Sequence, residues 1–130
     1  NQITRFALKS ENLAKDSITL KKHNPIMGMQ KKGSRHTASG QVLQWKLLMP
    51  LPTPEVDLIP FMLDWSESDT HPHEVLPDMG CTLIEIHATH PTPEKITPIL
   101  KELGHDLRIE KSDQTTIQIT LNTPNGIVHL

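Results

Sequence analysis

Hydrophobic and polar residues alternate most regularly between Cys81 and His90, where the chain reads Cys-Thr-Leu-Ile-Glu-Ile-His-Ala-Thr-His. Because successive side chains of a β-strand point to opposite faces of a sheet, this period of two predicts a strand. Its two predicted faces carry, respectively, Ile84, Ile86 and Ala88, and Leu83, Glu85, His87 and Thr89. The strand therefore combines an apolar face that needs a core with a face on which a carboxylate lies beside an imidazole.

Similar patterns predict seven further strands and two long helices. The predicted strands are residues 3–9, 26–33, 42–49, 59–65, 107–111, 115–122 and 127–130. Ser10 is the predicted N-cap of the first helix, which ends at the Asn24-Pro25 pair. The second helix follows Thr92, and Pro98 within it predicts either a kink or a later start.

The predicted elements follow the same order twice along the chain: strand, helix, strand, strand, strand. This repeat predicts an α+β protein of two βαβββ modules, residues 1–68 and 81–130, joined by a loop at residues 69–80. Each module is too small to bury its helix alone, so we expect the two modules to complete a shared core. We also expect the strands of the two halves to have the same order in their sheets.

The distribution of charged residues limits the kinds of binding partner that we expect. The 13 basic and 15 acidic residues give a formal net charge of −2 and are mixed along the chain. A nucleic acid or a membrane surface requires a concentrated basic face, so we expect neither partner.

The single cysteine, Cys81, favours a reducing compartment. With no apolar run near the roughly 20 residues that span a bilayer, a cytoplasmic location is predicted.

Four stretches resemble the glyoxalase-like domain proteins of bacteria, in the vicinal oxygen chelate superfamily of glyoxalases, bleomycin resistance proteins and dioxygenases. They are residues 42–47, 59–65, 71–72 and 122–130. The resemblance spans nearly the whole chain and implies two βαβββ modules whose mixed sheets curve into a cup. Members of this group often carry a further module before the tryptophan-bearing one. Because the chain starts at Asn1 with a strand-like pattern, we expect it to be the later part of a longer protein.

The resemblance also implies where a divalent metal would be held. In the superfamily, the ligands come from the first and last strands of each module, which correspond here to Arg5, Asp64, Glu85 and His129. A guanidinium stays protonated and cannot ligate a cation, so Arg5 breaks this set. A reduced metal site would use Glu85, His129 and Asp64, with His87 as a further candidate ligand, and would polarise the vicinal oxygens of a substrate. Polar residues on a solvent-facing strand need no metal, and we prefer the metal-free interpretation.

In the metal-free interpretation, the cup binds a small molecule through hydrogen bonds and charge. The predicted substrate-binding residues are Arg5, Gln44, Lys46 and Gln118. Glu85 and His87 are the predicted catalytic residues, one of which would move a proton. An ion pair between Arg5 and Glu85 on adjoining strands explains the same two charges equally well. Similarly, Trp45, Phe61 and Trp65 either form an aromatic wall for a ligand or pack against the helices.

Two functions from different classes fit these features. The first is a small-molecule enzyme, of lyase, isomerase or dioxygenase type, or a ligand-binding protein. The alternative is a structural domain that pairs with a missing N-terminal module or with a second copy as a homodimer. Unpaired strand edges favour such pairing.

Overall fold

A computed structural model describes residues 2–130, and Asn1 lies outside the described residues. The chain separates into two compact units. The first unit consists of residues 7–52 and 61–77, and the second contains the segment that ends at Phe6, residues 53–60 and residues 78–130. Since neither unit is continuous in sequence, the module boundaries at residues 68 and 81 stay a prediction.

The first unit contains a four-stranded mixed sheet. Its elements are β1 (Ala7–Lys9), α1 (Leu13–His23), a 3₁₀ turn (Pro25–Gly28), β2 (Gln30–His36), β3 (Val42–Leu48), β4 (Phe61–Asp64) and the short helix α2 (Pro72–Val75). The strand order is β1-β4-β3-β2. β1 and β4 are parallel, and the other neighbours are antiparallel.

The second unit contains another four-stranded mixed sheet. Its elements are β5 (Thr82–His90), α3 (Pro93–Glu102), β6 (Ile109–Lys111), β7 (Thr116–Thr123) and β8 (Gly126–His129). The strand order is β6-β5-β7-β8, with β6 parallel to β5 and the other neighbours antiparallel. The predicted α+β class and the twofold βαβββ succession along the chain are confirmed.

The two sheets differ in the neighbour that each first strand takes. In the first sheet, the fourth strand β4 lies beside β1, whereas in the second sheet β5 lies between β6 and β7. The expectation of a common strand order is therefore wrong. A returning strand can add to either side of the first strand, and the order of elements in the sequence does not select the side.

Helix α1 begins later than predicted, because a different residue caps it. The side-chain oxygen of Asn12 accepts a hydrogen bond from the backbone N–H of Lys15 at 3.0 Å, as an N-cap does. Ser10, the predicted cap, instead donates its hydroxyl to the Asp16 carboxylate at 2.5 Å. The prediction of Ser10 as the cap is therefore wrong.

Helix α3 accommodates Pro98 without starting later. The helix begins at Pro93, and Pro98 lies inside it. Proline has no backbone N–H, so the carbonyl of Glu94, four residues earlier, receives no helical hydrogen bond from it. Glu94 is exposed in the first turn, where water can satisfy this carbonyl. Of the two predicted alternatives, the later start is therefore wrong, and the kink stays a prediction.

Burial is deep in the first sheet and incomplete in the second. Leu20 of α1, Met27, Leu48 of β3 and Met62 of β4 are at most 1% exposed. In the second unit, Ala88, Ile96, Leu100 and Ile117 are buried, but the large apolar residues of β8 and of the start of β5 are exposed. No helix among the described residues has the length and apolar character needed to cross a bilayer.

We predict that truncating Leu48 destabilises the chain strongly, because its side chain is fully buried. Leu48→Ala should lower the free energy of unfolding by about 2–5 kcal/mol, measured by urea denaturation. Ile18→Ala, at a position 62% exposed on α1, is the matched control and should change it by less than about 1 kcal/mol. A loss for Leu48→Ala no larger than that of the control would contradict the core described above.

Candidate functional site

The polar face of the second sheet aligns chemically active side chains across three strands. Glu85 of β5 pairs with Thr120 of β7, which pairs in turn with His129 of β8. One step along the sheet, His87 pairs with Gln118. Because cross-strand partners project from the same face, these five side chains share one surface.

A β-bulge in β5 changes which of its residues lie on this face. The pairing with β7 shifts between Leu83, which opposes Leu121, and Glu85, which opposes Thr120, so Ile84 is the additional residue. Leu83 therefore takes the face of Leu121 rather than that of Glu85, and its predicted position beside Glu85 is wrong. From Glu85 to Thr89 the predicted alternation agrees with the observed register.

The shared surface forms an open groove of about 580 Å³ within the second unit. Its polar lining includes Glu85, His87, Thr116, Gln118, Thr120 and His129. Its volume lies within the range of small-molecule pockets, about 300–1,000 Å³. The groove thus unites four of the predicted site residues, Glu85, His87, Gln118 and His129.

His87 lies near a carboxylate from the neighbouring strand β6. Its Nε2 lies 3.4 Å from the Glu110 carboxylate, whose other oxygen accepts a hydrogen bond from Arg108 at 2.8 Å. The His87 side chain is 26% exposed, so it is partly shielded but reachable. An imidazole with one nitrogen facing a carboxylate can accept a proton at its other nitrogen.

Glu110 is a residue that the sequence analysis missed. It reaches His87 because β6 runs parallel to β5, which places Glu110 opposite Thr89 on the polar face. A three-residue strand gives no sequence signal for its partner or its register. On the other side of the groove, His129 Nδ1 lies 3.1 Å from the hydroxyl oxygen of Thr120. The alternation of β7 predicts that Thr120 lies on the same face as Gln118, and the pairing of β7 with β8 adds His129 to that face.

Arg5 lies in the same unit as the groove but is engaged elsewhere. Its guanidinium donates to the carbonyl oxygen of Glu55 at 2.9 Å and also to the carbonyl of Thr53. These contacts anchor the segment before β1 to residues 53–55. The role of Arg5 in substrate binding stays a prediction.

The other three predicted site residues, Gln44, Lys46 and Asp64, belong to the first sheet. Lys46 donates to the Glu67 carboxylate at 2.5 Å and lies opposite Asp64 across the strands. The backbone N–H of Gln44 donates to the hydroxyl of Ser68 at 3.2 Å. The structure therefore places these residues on a different sheet from Glu85, and their predicted roles are untested.

Lys46 and Glu67 shift each other's pKa. The hydrogen bond from Lys46 is the main cause that lowers the pKa of Glu67, and the same bond raises the pKa of Lys46. Burial acts to raise the pKa of Asp64, but hydrogen bonds from Ser66 and the charge of Lys46 outweigh it, so this pKa is lowered. All three groups are therefore held in their charged forms near neutral pH.

Comparison with known proteins places the chain in a family. A family model described as a glyoxalase-like domain matches residues 1–104. The chain belongs to the glyoxalase-like domain family. This confirms the resemblance stated above and is consistent with the vicinal oxygen chelate superfamily. The glyoxalase-like sequence has no significant match among curated proteins.

A solved structure supports the fold of this glyoxalase-like chain. It is the crystal structure of a hypothetical protein from Staphylococcus aureus, 15% identical, with a TM-score of 0.51. The match covers 97% of this chain and 50% of that chain, so the glyoxalase-like chain spans about half the length of its structural relative. At this identity the likeness concerns the fold alone.

The family match ends at Gly104, before the three strands that distinguish the second sheet. β6, β7 and β8 begin at Ile109, Thr116 and Gly126, so they lie beyond it. Glu110, Gln118 and His129 are consequently outside the matched residues, and the family gives no role to them.

The possible metal ligands of the second sheet were compared with what a metal site requires. In the part of the chain that the structure describes, no three His, Cys, Asp or Glu side chains converge as a metal site requires. Asp64 belongs to the first unit, and His87 is engaged by Glu110. The metal set Glu85, His129 and Asp64 stays a prediction, and no chemical step below is routed through it.

We predict that the pKa of Glu67 lies below its ordinary value and rises when its partner is removed. Its carboxyl signal, followed by NMR across an acid titration, should move to higher pKa in Lys46→Met, whereas Lys15→Met on α1 should leave it unchanged. Because folding lowers this pKa, the associated stability is present above the ordinary pKa of glutamate and is lost as pH falls through the folded-state pKa. Equal titration curves in wild type and Lys46→Met would refute the coupling.

Proposed function

We propose that this glyoxalase-like chain binds a small, oxygen-bearing molecule in the groove of the second sheet and that His87 accepts a proton from it. The observation that carries the proposal is the convergence of His87, Gln118, Thr120, Glu85 and His129 on one face. Such a mixture of acceptors, donors and titratable groups binds polar molecules by hydrogen bonds rather than by apolar contact.

The proposed roles follow from the contacts of each residue. Glu110 holds His87 through Nε2, which orients the ring and stabilises the imidazolium that forms after proton transfer. Gln118 lies opposite His87, so its amide can donate to an oxygen next to the carbon that loses the proton. Glu85 is the second candidate for moving a proton, and Thr120 lies between it and His129 in the register of the sheet.

The reaction class that these roles support is abstraction of a proton next to a carbonyl group. His87 would take the proton, and the negative charge on the carbonyl oxygen would be stabilised by the Gln118 amide. This step is shared by isomerases and lyases. A bacterial source and a cytoplasmic location are part of the same proposal, since they rest on the resemblance and on the single cysteine.

The proposal predicts that the protein exchanges the carbon-bound protons of hydroxyacetone with deuterium from the solvent, followed by proton NMR. His87→Gln should slow this exchange by about 100-fold or more, the usual contribution of a positioned base. Glu110→Gln should slow it less, because the imidazole remains but loses its orienting carboxylate.

His36→Gln, at an exposed position on β2, is the matched control and should exchange at the wild-type rate. Circular dichroism of each variant verifies that it is folded. Wild-type exchange no faster than buffer, or an unchanged rate in folded His87→Gln, would contradict the proposed role.

A second candidate function is assembly with another copy through β8, favoured by the exposed edge of the second sheet. Ile127 and Leu130 are 62% and 53% exposed, and β8 is the last strand of its sheet. Leu130 exchanges both backbone hydrogen bonds with Ile119, so alternation turns the backbone groups of Ile127 and His129 away from β7. β8 contains no proline and no acidic or lysine side chain that would prevent pairing.

A second copy is the occupant that fits this edge most simply, because two identical strands can pair antiparallel about a twofold axis. Light scattering should then give twice the monomer mass for the wild type. Ile127→Lys, which places a charge at the edge, should reduce the mass to that of a monomer, and Ile18→Lys on α1 should not. A wild-type monomer at high protein concentration would exclude this function.

A further inference from the structure

Trp45 lies flat against the neighbouring strand in the first sheet. It is the cross-strand partner of Gly33. A Cβ atom built on Gly33 would lie 2.5 Å from two ring carbons of Trp45 and 2.7 Å from its Nε1. Any side chain at residue 33 would therefore displace the indole, and glycine allows the ring to cover the backbone of β2.

The indole also has a second aromatic ring beside it. The rings of Trp45 and Trp65 have centroids 5.5 Å apart and are tilted by 49°. This spacing is typical of a favourable aromatic pair. Trp45 thus lies beside a glycine and a second tryptophan, and it remains half-buried, so part of its ring surface is exposed.

A groove of about 370 Å³ lies over this part of the first sheet. Its apolar lining includes Trp45, Leu47, Met49, Pro50 and Phe61. All five are half-buried, so they present apolar surface that the first unit itself does not cover. The volume is large enough for a one-ring or two-ring aromatic molecule.

Lys31 adds a positive charge at the rim of this groove. It pairs with Leu47 across the strands, as Gly33 pairs with Trp45, so its side chain belongs to the same face. Lys31 is exposed, and none of the ion pairs among the described residues includes it. Lys32 also lines the groove, but its ammonium lies 3.7 Å from the Glu67 carboxylate.

We propose that this groove is a binding site for a planar aromatic molecule that carries a carboxylate. The ring would lie on Trp45 and against Phe61, where flat apolar surfaces gain from stacking and from removal of water. The carboxylate would face the Lys31 ammonium, a point charge that takes part in none of the ion pairs given above for the described residues. The site uses no residue of the groove that holds His87, so it stands independently of the proposed function.

Titration calorimetry with 2-naphthoate tests the site, and 2-naphthalenemethanol serves as the uncharged probe of the same shape. The wild type should bind 2-naphthoate more tightly than the alcohol. Lys31→Glu should weaken 2-naphthoate by about fivefold or more, as expected for reversing one exposed charge, and should leave the alcohol within about twofold. Lys15→Glu on α1 makes the same change of charge elsewhere and should have no effect on either probe.

The indole N–H signal of Trp45, assigned with Trp45→Phe, reports binding directly by NMR. It should shift on addition of 2-naphthoate in the wild type and in Lys15→Glu, with the shift saturating at higher concentration in Lys31→Glu. Preserved dispersion of the other amide signals shows that each variant is folded. Absence of a saturable shift in the wild type, or equal affinities of wild type and folded Lys31→Glu, would overturn the proposal.

Discussion

The antiparallel pairing of β7 with β5 is the interaction on which the candidate site depends. It brings Gln118 opposite His87 and Thr120 opposite Glu85, and through the β7–β8 hairpin it adds His129 to the same row. A shift of one residue in this pairing would send all the β7 side chains to the other face. The bulge at Ile84 absorbs one residue of β5, so the polar face from Glu85 onward remains in register with Thr120.

The two sheets have the same succession of elements but differ in burial and in the residues on their exposed faces. In the first sheet, the buried side chains of α1, β3 and β4 form a closed core, and the opposite face carries aromatic residues over a glycine. In the second sheet, part of the apolar surface is buried and part is exposed, while the polar face carries imidazole, carboxylate and amide groups. The proposed aromatic binding site and the proposed proton-transfer site therefore belong to different units of the chain.

The family match supports the fold of this protein, whereas the proposed role of His87 depends on local contacts. The glyoxalase-like match covers residues 1–104, so it ends before β6, β7 and β8. The strand order also departs from that of the first sheet in those same strands. For this reason the proposed role of His87 is argued from its contact with Glu110 and from the register of β7, not from the family.

Alternation and helical spacing by themselves predicted the number and order of the strands, the two long helices and the polar face of β5 from Glu85 onward, because these depend on neighbours within about ten residues. The predicted strand 26–33 was partly wrong, since Pro25–Gly28 forms a 3₁₀ turn and β2 spans Gln30–His36. They could not determine that Asn12 rather than Ser10 caps α1, that Leu83 changes face, or that β6 brings Glu110 to His87. Only the tertiary structure decided which strands are neighbours, and with that which predicted site residues share a groove. Hydrogen bonds between strands far apart in sequence make that choice, and the local pattern contains no record of the partner or the register.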